Sequence, residues 1–214
     1  MKIGLFGGTF DPIHLGHVDM IVQLRNAMHL DSVVFVPAYI SPFKQNNHVT
    51  AYEHRLQMAR LAIDGKADFK VSDFESKSEK PSYTFYTAEY FKSCYPDDEL
   101  YFIMGVDAFN DIEKWFRWED LLDMIHVVVV DRPHKKISVS PEVHRVLHQS
   151  ACHVYYLPLH TLPISSTMIR EKLRIHESVQ GLLDDRVWDY IKENHLYECD
   201  ENGLSGDHTK KIER

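Results

Sequence analysis

The sequence predicts an α/β fold: an open parallel sheet with helices on both faces. Three observations carry this. Short β-branched and aromatic runs alternate with longer segments of helical period, the order that repeated βα units produce. Two of those runs, Ser32-Val33-Val34-Phe35-Val36-Pro37 and His126-Val127-Val128-Val129-Val130, are apolar almost without interruption, as strands covered on both faces must be. The first run, Lys2-Ile3-Gly4-Leu5-Phe6, breaks into Gly7-Gly8 and leads into a helix start, where free N–H groups gather at a strand end.

Val18 to Leu30 has apolar residues at Ile21, Leu24, Ala27 and Met28, which predicts a helix with one buried face. After the Ser32–Pro37 strand, Ala38 to Thr50 carries Pro42, Asn46, Asn47 and Lys44 and reads as a long loop at a strand's C-terminal end, where open α/β sheets bind ligands. Ala51 to Asp64 is helical, with Leu56, Met58, Ala59, Leu61 and Ala62 toward the core. Phe69-Lys70-Val71-Ser72 is a third strand, and Glu75 to Lys80 a solvated charge run. Pro81-Ser82-Tyr83-Thr84 introduces a helix reaching Cys94, and Tyr95-Pro96-Asp97-Asp98 is a turn. A buried strand runs from Leu100 to Gly105, and two short helices between Ala108 and Asp123 flank Trp115-Phe116-Arg117-Trp118. The His126–Val130 strand, a helix over Pro141 to Ser150, a strand over His153 to Leu157 and a helix from Asp184 to Asn194 complete the pattern.

At 214 residues and 44% hydrophobic content, the chain is expected to form one domain over residues 1–197, followed by a polar, disordered tail over 198–214. A net charge of −8 argues against a nucleic-acid or acidic-membrane binder, so any anionic ligand must be held by a local cluster of donors. No targeting segment and no membrane-spanning run are expected. Cys94, Cys152 and Cys199 are far apart and read as reduced thiols of a cytoplasmic protein.

Two stretches concentrate groups that suit phosphates. In Gly7-Gly8-Thr9-Phe10-Asp11-Pro12-Ile13-His14-Leu15-Gly16-His17, glycines allow close backbone approach to an anion, and His14 and His17 share one face of the first helical turn. The glycine spacing fits neither the dinucleotide fingerprint nor the Walker loop, which disfavours a nicotinamide-dependent oxidoreductase and a P-loop enzyme. In Pro163-Ile164-Ser165-Ser166-Thr167-Met168-Ile169-Arg170, three hydroxyls stand at a helix start and a guanidinium follows one turn later. A helix cap alone would account for the serines; beside another anion-binding stretch, a polyphosphate site does so better. His144 and His148, four apart on a helix, lack a third metal ligand and read as solvated.

The paired stretches resemble the nucleotidyltransferase superfamily, whose members carry a Gly-x-x-x-Pro-x-His-x-Gly-His element near the N-terminus and an Ile-Ser-Ser-Thr-x-x-Arg element near the C-terminus, here Gly8 to His17 and Ile164 to Arg170. Within it the chain is most similar to the bacterial nicotinate-nucleotide adenylyltransferases, through Gly105-Val106-Asp107, Trp115, Pro81-Ser82-Tyr83-Thr84 and Arg132-Pro133. The resemblance runs to about Tyr197. It implies a Rossmann-like nucleotidyltransferase fold and a reaction in which nicotinate mononucleotide attacks the α-phosphorus of ATP in line and expels pyrophosphate, within NAD biosynthesis. It also implies that His14, His17 and Arg170 are catalytic. Gly7, Gly8, Thr9, Phe10, Gly105, Asp107, Ile164, Ser165 and Ser166 would bind ATP, with Asp107 on the ribose. Lys44, Thr84 and Trp115 would bind the mononucleotide, with Trp115 stacked on the pyridine ring and Trp118 left to the core. Mg²⁺ would accompany ATP, with no protein metal ligand assigned.

One departure stands out. The family's Pro-Pro-His-Lys loop is Ser41-Pro42-Phe43-Lys44 here, so a histidine able to bond substrate is replaced by Phe43. Acid against amide mononucleotide therefore stays open. Open too are a sister enzyme acting on nicotinamide mononucleotide or pantetheine phosphate, a non-catalytic nucleotide-binding protein, and the oligomeric state, with a homodimer one alternative.

Overall fold

Strict alternation along the strands divides the apolar side chains between two cores, one on each face of a single sheet. The computed structural model describes residues 1–39, 49–80, 82–130 and 136–198. Strands β1 (Lys2–Gly8), β2 (Ser32–Pro37), β3 (Phe69–Val71), β4 (Glu99–Gly105), β5 (His126–Val130) and β6 (Val154–Leu157) form a parallel sheet in the order β3-β2-β1-β4-β5-β6. One core takes Phe6, Val33, Phe35, Tyr101, Ile103, Val128 and Val130. The other takes the residues between them, Leu5, Val34, Val36, Leu100, Phe102, Met104, Val127 and Val129. This is why β2 and β5 read as continuous apolar runs.

Helices cover both faces. On the first lie α1 (Leu15–Met28), α2 (Tyr52–Ile63), α8 (Ser166–Arg174) and α9 (Asp185–Glu193), through Ile21, Leu24, Met58, Ile169 and Val187. On the second lie α4 (Thr84–Cys94), α5 (Val106–Asn110), α6 (Trp118–Met124) and α7 (Pro141–Gln149), through Phe85, Phe91, Phe109, Leu121 and Val143. A short α3 (Phe74–Lys77) follows β3, and a 3₁₀ turn over Ile112–Lys114 joins α5 to α6. The sheet order reverses between β1 and β4, so the loops leaving these strands diverge and open a crevice at their C-terminal ends.

The expected α/β architecture is present, with three local differences. Helix α1 starts at Leu15, and its buried stripe is Val18, Ile21 and Leu24; Ala27 is exposed, and Leu30 beyond the helix end is buried instead. In α2 the buried residues are Tyr52, Arg55, Met58, Ala59, Ala62 and Ile63, while Leu56 and Leu61 are half-buried. Glu75 does not belong to a solvated charge run. It is 9% exposed in α3, where its carboxylate accepts hydrogen bonds from the Tyr39 amide at 3.0 Å and the Thr87 hydroxyl at 3.1 Å. Two neutral donors satisfy a buried carboxylate that charge-counting would leave in water. Trp118 is half-buried against the second core, and His144 and His148 are exposed on α7. The tail beyond 198, and Cys199 with it, lies outside the described residues.

Candidate active site

A cleft of about 1330 Å³ opens at the sheet's reversal point, more than the roughly 300–1,000 Å³ of a drug-sized pocket, so there is room for two nucleotide-sized ligands. Gly7 and Gly8 reach it as the last residues of β1, and the left-handed residue that turns the chain is Phe10, at φ 50°. A Cβ on Gly8 would lie 2.6 Å from the Phe10 ring. Glycine there lets Phe10 fold back into the core, 5.3 Å from Phe6 and 6.0 Å from Phe35 between ring centroids. Phe10 is 3% exposed, so what it can offer a ligand is mainly backbone. The glycines thus serve the packing of the turn, a task their sequence spacing did not reveal. The Asp11–Pro12 peptide is cis.

The two histidines meet through a cap rather than along a helix face. His14 is the N-cap of α1, and its Nδ1 accepts from the His17 amide at 3.3 Å; His17 Nδ1 accepts from the His14 amide at 3.3 Å. The rings stack with centroids 3.6 Å apart. A ring nitrogen that accepts from an amide carries no proton, so in the neutral rings the proton sits on Nε2. The capping box therefore leaves each imidazole with an Nε2–H donor while it satisfies two orphan amides. Gly16 allows this stacking: a Cβ there would stand 3.1 Å from His14 Nδ1 and 3.4 Å from Ile164 Cβ.

Burial lowers the His14 pKa to about 4 and keeps the ring neutral at physiological pH. The unfolded chain protonates this imidazole below its ordinary value of 6.5, and the native state resists until about 4. His14 therefore adds no pH dependence above 6.5, and its contribution falls as pH drops through that window, by about 1.4 kcal/mol per unit and roughly 3 kcal/mol in all. The expected result is a flatter stability profile for His14→Gln than for the native chain between pH 6.5 and 4, read from urea midpoints; parallel profiles would refute the burial effect.

Beneath the turn lies a buried polar network that the sequence reading missed. Arg55, 2% exposed on α2, donates from Nη1 to the carbonyls of Thr9 at 2.7 Å and Ala38 at 2.8 Å, from Nε to Thr50 at 2.8 Å and from Nη2 to Tyr39 at 3.3 Å. It fixes the loops leaving β1 and β2 together. Its pKa is lowered by burial and supported by Asp11. The Asp11 carboxylate, 5% exposed, accepts from the Tyr197 hydroxyl at 2.7 Å and the Thr50 amide at 3.4 Å. A signal did exist: Arg55 stands three and four residues before Met58 and Ala59, on the apolar stripe of α2.

Helix α8 brings the other stretch to the same place. Ser165 is its N-cap, accepting from the Met168 amide at 3.1 Å, and keeps its own O–H to donate. Ser166 Oγ donates to the Pro12 carbonyl at 2.9 Å, which leaves the Ser165 hydroxyl and backbone N–H groups as the donors at this helix start. Arg170 Nη1 donates to the Asp11 carbonyl at 2.7 Å, a bond that aims the guanidinium along the cleft wall. Ile164 lines the cleft, but its amide is committed to the Leu162 carbonyl at 2.7 Å.

The opposite wall comes from the second face. Thr84 opens α4 on the cleft lining, and the N-cap Tyr83 side chain makes no capping bond to its first-turn amides. Gly105 ends β4 as the N-cap of α5, and Asp107 sits exposed in that helix's first turn on the cleft lining. Trp115 is half-buried, edge-on to Phe102 with centroids 6.0 Å apart, and Phe116 stacks on Tyr83 at 4.8 Å. Among the described residues, the structure thus brings every predicted site residue to one cleft. Lys44, Phe43, Pro81, Arg132 and Pro133 lie outside them. Cys94 and Cys152 are unbridged, and no described helix is long and apolar enough to cross a membrane.

A family model described as cytidylyltransferase-like matches residues 5–172. The chain is 37% identical over 197 residues to the nicotinate-nucleotide adenylyltransferase of Bacillus subtilis, covering 92% of this chain and 98% of the relative. It is 38% identical over 197 residues, with the same coverage, to a Bacillus licheniformis protein named "Probable nicotinate-nucleotide adenylyltransferase". In fold it matches the Plasmodium falciparum nicotinic acid mononucleotide adenylyltransferase complexed with NaAD, at a TM-score of 0.72 and 24% identity over 92% of this chain and 97% of that one. With near-complete alignment at this identity, and with the two superfamily elements meeting in one cleft, the chain belongs to the nicotinate-nucleotide adenylyltransferase family.

Proposed function

We propose that this chain joins nicotinate mononucleotide to the adenylyl group of ATP, giving nicotinate adenine dinucleotide and pyrophosphate, and that residues 1–197 form the one domain that does so in the cytoplasm. The observation that carries the reading is the convergence of His14, His17, Ser165 and Arg170 on one wall of a cleft whose other wall holds Thr84 and Trp115.

A phosphate oxygen of the mononucleotide attacks the α-phosphorus of ATP, the bond to the bridging oxygen breaks, and pyrophosphate leaves. Such a displacement asks the protein for alignment and for charge stabilisation. His14 and His17 donate Nε2–H to the phosphate oxygens where charge develops, beside backbone groups of Gly7, Gly8, Thr9 and Phe10. The Ser165 hydroxyl, the first amides of α8 and Arg170 hold the β- and γ-phosphates and then the leaving group. Gly105 and Asp107 border the adenosine, Asp107 accepting from ribose hydroxyls, and Ile164 packs against it.

Across the cleft, Trp115 stacks on the pyridine ring, and the start of α4 at Thr84, where the Tyr83 side chain makes no capping bond, offers N–H donors to its substituent. Backbone N–H donors at a helix start suit a carboxylate, and the acid is taken as the preferred substrate. Lys44 neutralises the mononucleotide phosphate. Mg²⁺ would enter on ATP as part of the substrate, held by phosphate and water oxygens, with no protein ligand assigned. Bound there, the ion would supply charge neutralisation to the leaving group.

Pyrophosphate release from MgATP, compared across nicotinate mononucleotide, nicotinamide mononucleotide and pantetheine phosphate, tests the reading. Turnover fastest with the acid is expected. Fastest turnover with the amide would overturn the argument from α4, and release only with pantetheine phosphate, or none at all, would overturn the proposal.

A further inference from the structure

Tyr197 follows the last helix and lies 186 residues from Asp11 in sequence, yet its hydroxyl reaches the Asp11 carboxylate at 2.7 Å. The chain is bent sharply to allow this. After α9 the Leu196 amide returns to the Ile191 carbonyl at 3.0 Å, and both His195, at φ 50°, and Tyr197, at φ 68°, adopt the left-handed conformation. Two bulky side chains in a region that suits glycine are held there only if the surroundings over-determine them. Part of what holds Tyr197 is apolar, since its ring packs on the first core. The hydroxyl has a separate task.

Asp11 is the junction between both halves of the proposed ATP site. Its carbonyl orients Arg170, the next carbonyl orients the Ser166 hydroxyl, and three residues on stands His14, the cap that fixes His17. Its carboxylate is held by the Tyr197 hydroxyl and the Thr50 amide. Burial and the adjacent carboxylate push the phenol's pKa far up, so it stays a donor.

We propose that Tyr197 is a positioning residue: its hydrogen bond to Asp11 sets the backbone of residues 11–14 and, through it, the relative placement of the α1 histidines and Arg170. This rests on the adenylyl-transfer reading for its kinetic consequence but not for its structural one. A latch of this kind acts on alignment, and misplacement of about 1 Å at a reacting centre can cost up to about 10²-fold in rate.

Tyr197→Phe keeps the ring in the core and removes the donor alone. We expect kcat to fall about tenfold at a temperature where the variant is fully folded, with KM for the mononucleotide unchanged. Hydrogen exchange of the amides from Thr9 to Val18, followed without substrates, is expected to speed up at least about fivefold, while β4 and β5 exchange as before. In an Asp11→Ala background, with Asp11→Leu as the alternative should alanine not fold, Tyr197→Phe should add nothing further. A purely structural tyrosine would lower the unfolding midpoint and leave kcat and local exchange unchanged, and that result overturns the proposal. Should the native chain release no pyrophosphate, the functional reading fails, and the exchange comparison still decides the latch.

Discussion

His17→Ala is expected to lower turnover at least about 10²-fold with the fold intact, the usual consequence of removing one preorganised donor from a developing charge. The substitution deletes an Nε2–H donor held by its own backbone: His17 Nδ1 is occupied by the His14 amide, so the ring cannot turn that nitrogen to the ligand. Stability should suffer little. Alanine is the best helix former at that position, and the loss is one capping bond of about 1 kcal/mol. His14 keeps its own bond from the backbone of residue 17. Pyrophosphate release at saturating substrates, with the circular dichroism spectrum and urea midpoint as controls, checks this. A rate within a fewfold of the native chain would remove His17 from the chemistry.

Arg55 is expected to have the largest effect on stability. One guanidinium serves four carbonyls on three loop segments, and it is almost wholly buried. In Arg55→Met a side chain of similar length fills the space, but the carbonyls of Thr9, Ala38, Tyr39 and Thr50 lose their donor, at about 1 kcal/mol each and roughly 3–5 kcal/mol together. Arg55→Lys should recover only a fraction, because a single ammonium cannot span the fork that reaches Thr9 and Thr50 at once. Urea unfolding measures both. Turnover should drop in each variant, because Thr9 belongs to the turn before His14. A midpoint close to that of the native chain would show that the loops hold without the guanidinium.

What could be read from the sequence was local, and what could not was long-range. Strand runs, the glycine-to-histidine stretch and the Ser165–Arg170 stretch are each contiguous, and period or capping chemistry announces them. The residues that join them are not. Asp11 meets Tyr197 across 186 positions and Ser166 meets Pro12 across 154, and no pattern within either segment encodes such pairings. Glu75 was misplaced because a charge run is judged on average, whereas burial is decided one side chain at a time, here by Thr87 and the Tyr39 amide. Phe10 turned inward because Gly8 left space for it, a packing relation rather than a motif. On the acceptor side Thr84 and Trp115 reach the cleft as expected, while the loop carrying Lys44 lies outside the described residues.

The division of the apolar side chains into two cores has a structural consequence. The helices that carry the proposed ATP-binding groups, α1 and α8, are anchored on one face, and α4, which carries Thr84, on the other. Only the sheet lies between them. Strands β1 and β4, paired from Lys2–Glu99 to Phe6–Ile103, fix the register on which both faces are mounted, through backbone hydrogen bonds that vary little with side-chain identity. Either face can repack its own core without shifting that register.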